Sequence, residues 1–164
     1  MSIALYPGSF DPPTNGHLSL VERGLAVFDK IIVSVVANPA KSTALFSLDE
    51  RLELLKGSLA HLPQDRLTLS TFSGLTIEYA RQAGAAAILR GLRGSADFEY
   101  ERQLAEINRH LAQDVQTVFL MADYKWFFIS SSTVKEAASL GADVDGLVPK
   151  IVAEGLKKKF GVNK

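Results

Sequence analysis

Short apolar runs rich in β-branched residues alternate five times with segments of helical spacing, and nothing else constrains the fold of this 164-residue chain so strongly. The runs lie at residues 3–6, 31–37, 67–72, 87–89 and 115–121. Residues 31–37 are almost wholly apolar, as in a strand covered on both faces, whereas 67–72 alternate. Between the runs, Leu18, Val21, Leu25 and Phe28 recur at helical spacing. Ser47-Leu48-Asp49-Glu50 is a capping box that opens a helix with Leu48, Leu52, Leu55 and Leu59 on one face. A short helix over 75–83 closes at Gly84, and a long one over 96–112 carries Tyr100, Leu104, Ile107 and Leu111 on one side. A further helix opens at 129–132 and closes at Gly141, and Pro149 falls in the first turn of the last, which ends in Lys157, Lys158 and Lys159. The pattern predicts an α/β fold: a parallel five-stranded sheet with right-handed crossovers and helices on both faces, in one domain over 1–164.

In such sheets ligands bind beyond the carboxyl ends of the strands. Every unusual polar cluster follows a strand: 6–17, Lys41, 73–76, 90–93 and 126–132. These loops are expected to meet in one site. The first, Tyr6 to His17, reads YPGSFDPPTNGH and is too rich in Pro and Gly for any regular element. It ends at a helix start, where free N–H groups and the dipole favour an anion. It lacks both common phosphate-loop patterns. Gly16 instead precedes His17, which sits in the first helical turn and points back over the loop. Gly lets a ligand approach the backbone, and the imidazole then donates to a phosphate oxygen; the other reading is a histidine that only satisfies backbone groups.

Arg90 and Arg93 flank Gly91 and Leu92, a spacing that suits forked contacts with phosphate or ion pairs with Asp97, Glu99 or Glu101. Glu101 is also a possible acceptor for an adenosine group. Ser130, Ser131 and Ser132 offer hydroxyls and amides to a polyphosphate, or a simple helix cap. Lys41 follows a strand among small residues and, taken alone, reads as a solvated lysine. Tyr100, Trp126, Phe127 and Phe128 read as core, interface or stacking platforms. The set is cationic and rich in amides, with little for acid–base work, which points to positioning and electrostatic stabilisation at phosphorus. A phosphate monoester nucleophile, with a second pKa of about 6, needs no general base at neutral pH.

Lys plus Arg and Asp plus Glu each number 18, so the chain has no net cationic field for nucleic acid or an acidic membrane, and any anion site must be built locally. Without cysteine there is no thiolate nucleophile, disulfide or cysteine-ligated metal. No apolar run approaches the ~20 residues that span a bilayer, and the N-terminus lacks a signal-peptide pattern, so a cytoplasmic protein is expected.

With YPGSFDPPTNGH, FSLDER, RGLRGSADFEYE, NRHL and FISSSTVKE in place, the chain resembles the bacterial phosphopantetheine adenylyltransferases over nearly its whole length. T-x-G-H and I-S-S-S alone mark the wider nucleotidyltransferase superfamily; YPGSFDP with RGLR and DFEYE is more specific. The resemblance implies a Rossmann-like fold, a hexamer of two trimers, and adenylyl transfer from ATP to 4′-phosphopantetheine with Mg²⁺ carried on the phosphates. It also implies coenzyme A as a feedback inhibitor. Carried over by motif, His17, Lys41 and Arg93 are catalytic, with His17 stabilising charge on the α-phosphate. Ser9, Lys41, Leu75, Thr76 and Arg90 bind the pantetheine substrate. Ser9, Phe10, His17, Gly91, Leu92, Arg93, Glu101, Trp126, Phe127, Phe128, Ile129, Ser130, Ser131 and Ser132 bind the nucleotide. No protein-held metal site, nucleic acid or membrane partner is implied. The alternatives are a relative acting on another phosphate acceptor, such as nicotinamide mononucleotide, and a non-catalytic sensor of adenine nucleotide or coenzyme A.

Overall fold

The computed structural model describes residues 1–37 and 44–161. Along them run β1 (Ile3–Gly8), α1 (Asn15–Gly24), β2 (Lys30–Val36), α2 (Leu48–Ser58), β3 (Leu67–Phe72) and α3 (Thr76–Gln82). These are followed by β4 (Ala87–Leu92), α4 (Ser95–Leu111), β5 (Gln116–Met121), α5 (Ser131–Ser139) and α6 (Lys150–Phe160). All strand pairs are parallel, in the order β3-β2-β1-β4-β5. The chain builds outward from β1 to β3, then returns to the other side of β1 for β4 and β5. The topological switch therefore falls between β1 and β4, where a crevice is expected at the strand ends.

The ladders show how that crevice opens. β1 pairs with β2 as far as Gly8↔Val35, and β4 with β5 as far as Leu92↔Met121. Between β1 and β4 only Ala4↔Ala87 and Leu5↔Ile88 pair. Pro7 has no N–H to offer β4, and its carbonyl is taken instead by Nη1 of Arg90 at 3.1 Å.

Successive strand residues face opposite ways. Ala4, Tyr6, Ile31, Val33 and Leu89 pack with Leu18 and Val21 of α1 and Leu55 of α2. Leu5, Ile32 and Ile88 pack on the other face with Ile77 and Ala80 of α3 and with Ala112 and Val115. Helices thus cover both faces, as expected. A third cluster joins α5 and α6 through Val134, Ala138, Val152 and Leu156, with Phe46 and Leu54 completing it.

Several boundaries differ from the sequence reading. β1 continues through Pro7 and Gly8, and β4 through Arg90, Gly91 and Leu92, because backbone pairing to the neighbouring strand outlasts the apolar run. Arg90 is thus a strand residue. α1 starts at Asn15, and Pro149 is the cap before α6 and not part of its first turn. Ser47 and Glu50 do form the expected capping box, and Gly84 and Gly141 take left-handed backbone beyond α3 and α5. On α4, Tyr100, Ile107 and Leu111 are at least half exposed, so this apolar side is not core within the chain.

Gly24 is where α1 meets the sheet. A Cβ there would lie 2.6 Å from Ile31 Cδ1 and 2.9 Å from Leu89 Cδ2, both on fully buried side chains. Helix propensity favours alanine by about 1 kcal/mol, but overpacking a filled core costs about 1–3 kcal/mol. Gly24→Ala is expected to lower the urea midpoint, and a midpoint at or above that of the parent would contradict this packing.

Candidate active site

A cavity of about 350 Å³ occupies the switch point, within the usual range for small-molecule sites. Its walls come from the end of β1, the loop after it and the start of α1 (Gly8, Ser9, Thr14, Gly16, His17), from β4, the turn after it and the first turns of α4 (Arg90, Gly91, Arg93, Asp97, Glu101), and from the segment after β5 into α5 (Trp126, Ile129, Ser130, Ser131). Of the four expected loops that lie among the described residues, three therefore converge.

His17 is the third residue of α1. Thr14 caps the helix: its hydroxyl accepts the His17 N–H at 3.4 Å, and its own N–H donates to Nδ1 of His17 at 3.0 Å. This is a capping box in which histidine replaces the usual glutamate. Because Nδ1 accepts, the neutral ring carries its proton on Nε2. Beneath it, Phe10 makes an edge contact with His17 at 5.1 Å between centroids and another with Tyr6 at 5.3 Å. Phe10 holds a left-handed backbone, φ 46°, rare for a residue with a side chain. Its ring leaves no room at position 8, where a Cβ would lie 2.9 Å from Phe10 Cζ. Burial, then the nearby Arg93 and Arg90, push the His17 pKa from 6.5 down to about 4. Burial also raises the Tyr6 hydroxyl well above its ordinary range, so it remains protonated.

Both arginines have carboxylate partners on α4. Arg90 forks onto Glu101, with Nε to Oε2 at 2.7 Å and Nη2 to Oε1 at 2.5 Å. Arg93 forks onto Asp97 at 2.9 and 3.3 Å and reaches the Ile129 carbonyl at 3.0 Å, tying the β4 loop to the start of α5. Burial works against the Arg90 charge, but the Glu101 bond and charge outweigh it and raise its pKa. The ion-pair reading of these arginines therefore holds in the fold. Glu101 is engaged by Arg90 and also lines the cavity. Among the described residues three of the five guanidinium N–H groups are used in each case, leaving two for a ligand.

Other expected residues sit elsewhere. Phe10 and Leu92 are buried and support the wall without lining it. Leu75 and Thr76 start α3 outside this cavity, as the β3 end lies two strands from β1. Ser132, Phe127 and Phe128 are exposed and do not line it. Lys41 lies outside the described residues. Ser130 caps α5, and Ser131 lines the wall while its hydroxyl donates to the Pro12 carbonyl at 2.8 Å. Thr14 was not foreseen as the cap, and Asp97 was one of three acidic residues offered as partners for the arginines. Thr14 stands three residues before His17, the spacing of a capping box, and Asp97 stands four after Arg93, the spacing of a helical ion pair.

The chain matches the cytidylyltransferase-like family over residues 5–137. It is 54% identical over 161 residues to the phosphopantetheine adenylyltransferase of Desulfosudis oleivorans, covering 98% of this chain and 94% of that one. To the enzyme of the same name from Geotalea daltonii it is 49% identical over 160 residues, covering 98% of each. This chain belongs to the phosphopantetheine adenylyltransferase family. In fold it also resembles a crystal structure assigned as a nicotinate-nucleotide adenylyltransferase from Vibrio parahaemolyticus, with a TM-score of 0.67 and 19% identity over 95% of this chain and 99% of that one. Among the described residues no helix is long and apolar enough to cross a membrane.

The depressed His17 pKa has a definite sign. Between pH 6.5 and about 4 an unfolded chain takes up a proton that the folded ring refuses. The stability this group contributes is complete above about pH 6.5 and is lost as pH falls through about 4. Nitrogen-15 NMR is expected to show His17 neutral with the proton on Nε2 at pH 6, titrating near pH 4; a midpoint near 6.5, or a proton on Nδ1, would contradict the geometry.

Proposed function

We propose that this chain transfers the adenylyl group of ATP to 4′-phosphopantetheine, giving dephospho-coenzyme A and pyrophosphate. The observation that carries the reading is a neutral Nε2–H donor beside two guanidinium groups in one switch-point cavity, in a chain about half identical, end to end, to enzymes of that name. A phosphate oxygen of phosphopantetheine attacks the α-phosphorus; the new P–O bond forms as the bond to the β-phosphate bridge breaks, and pyrophosphate leaves. His17 donates from Nε2 to the α-phosphate oxygen where charge grows, so it acts without changing its own protonation. Arg93 and the start of α5, with Ser130 and Ser131, take the β- and γ-phosphates. Arg90 and Lys41 hold the phosphopantetheine phosphate, Ser9 touches both reactants, and Leu75 and Thr76 take the pantetheine arm.

The two carboxylates of the cavity, Asp97 and Glu101, are each committed to an arginine, a donor set that does not suit a protein-held Mg²⁺. The ion is proposed to arrive on the ATP phosphates, as part of the substrate. The exposed apolar side of α4 supports assembly with further copies, as a hexamer. The cytoplasm is the proposed location, and coenzyme A, which shares both substrate halves, the proposed feedback inhibitor.

The test is pyrophosphate release from ATP and 4′-phosphopantetheine with Mg²⁺ present. Turnover is expected, with His17→Ala losing about 10²–10³-fold in kcat and little in KM for ATP. No turnover by folded parent protein would overturn the reaction, and equal losses in kcat and affinity would overturn the role of His17.

A further inference from the structure

Asp11 does not line the cavity, yet it is 7% exposed and its carboxylate accepts three hydrogen bonds. Two come from the N–H groups of Phe46 at 2.9 Å and Leu45 at 3.0 Å, and one from Nζ of Lys135 on α5 at 2.7 Å. Burial would raise the carboxyl pKa, but these partners outweigh it and hold it below its ordinary value. Three segments meet at this one group: the loop after β1, the residues before α2, and α5.

The position of Asp11 gives the cluster a bearing on the chemistry. It directly follows Phe10, whose ring supports His17, and it lies two residues after Ser9 in the cavity wall. Lys135 lies one turn along α5 from Ser131, also in the wall. Burying an ion pair adds little stability over apolar packing, so stability is a weak reason for it to be here. We infer that Asp11 and Lys135 form a positioning clasp that sets the distance between the His17 side and the α5 side of the cavity, and so the alignment of the two reactants. This inference rests on the adenylyl-transfer reading above.

The test compares Lys135→Met, Lys135→Arg and the double variant Asp11→Asn with Lys135→Met, in the full chain, by kcat, KM and thermal unfolding. Lys135→Met is expected to lose about ten- to hundred-fold in kcat, with KM changed by less than about threefold. Lys135→Arg should recover most of that loss. The double variant leaves no unpaired buried charge, so it should regain thermal stability and yet stay slow. Wild-type kcat in the double variant, or in folded Lys135→Met, would overturn the clasp, as would Lys135→Arg no faster than Lys135→Met. Should Lys135→Met not fold, the double variant decides. A parent protein without turnover would overturn the reaction and leave the clasp to amide exchange at Leu45 and Phe46: faster exchange in Lys135→Met that Lys135→Arg restores supports it, and unchanged exchange in Lys135→Met overturns it.

Discussion

The hydrogen bond from the Thr14 N–H to Nδ1 of His17 is the contact on which the rest of the site depends. It ends the opening loop, starts α1 and fixes which ring nitrogen carries the proton. As a contribution to stability such a bond is worth only about 1 kcal/mol. Its chemical consequence is larger. With Nδ1 occupied, Nε2 is a donor; with the proton on Nδ1, the same ring would turn a lone pair toward a phosphate oxygen and repel it. Phe10 and Gly8 then act as the mounting: the ring of Phe10 fills the space that a side chain at position 8 would need, and holds the imidazole edge-on.

The electrostatics follow from a chain with equal numbers of acidic and basic residues. It has no general field with which to gather phosphates, so cations are placed singly and held. Asp97 and Glu101, one turn apart on α4, each accept from the Nε and Nη2 edge of a guanidinium. Arg90 and Glu101 are mostly withdrawn from water, with side chains 27% and 12% exposed, so neither charge is tolerable alone and the pair is geometrically fixed. A fixed arginine with donors to spare suits positioning chemistry, because little ordering remains to be done when a phosphate arrives. The same cations also help keep His17 neutral, so the donor that faces the phosphate and the charges that attract it support one another.

Most of the sheet was legible because its information is local. β-branched runs, a Ser47–Glu50 box and glycines after helices each act within a few residues, and strand–helix alternation leaves few topologies. The convergence of the loop after β1 with 90–93 and 126–131 was legible for the same reason. What the sequence could not supply was long-range pairing. Nothing local tells that β4 runs on through Arg90, since that depends on β5 alongside it. Nor does it choose Glu101 over Asp97 and Glu99 as the partner of Arg90, eleven residues away and on another element. The contacts of Asp11 with Phe46 and Lys135 span 35 and 124 residues and leave no trace in spacing. Leu75 and Thr76 were placed by resemblance alone, and their distance from the cavity reflects the position of β3 at the sheet edge.

The most direct test is a crystal structure with a non-hydrolysable ATP analogue. The account predicts Nε2 of His17 within about 3.2 Å of an α-phosphate oxygen, with Nδ1 still accepting from the Thr14 N–H. Triphosphate bound away from His17, or an imidazole turned so that Nδ1 faces the phosphate, would contradict it.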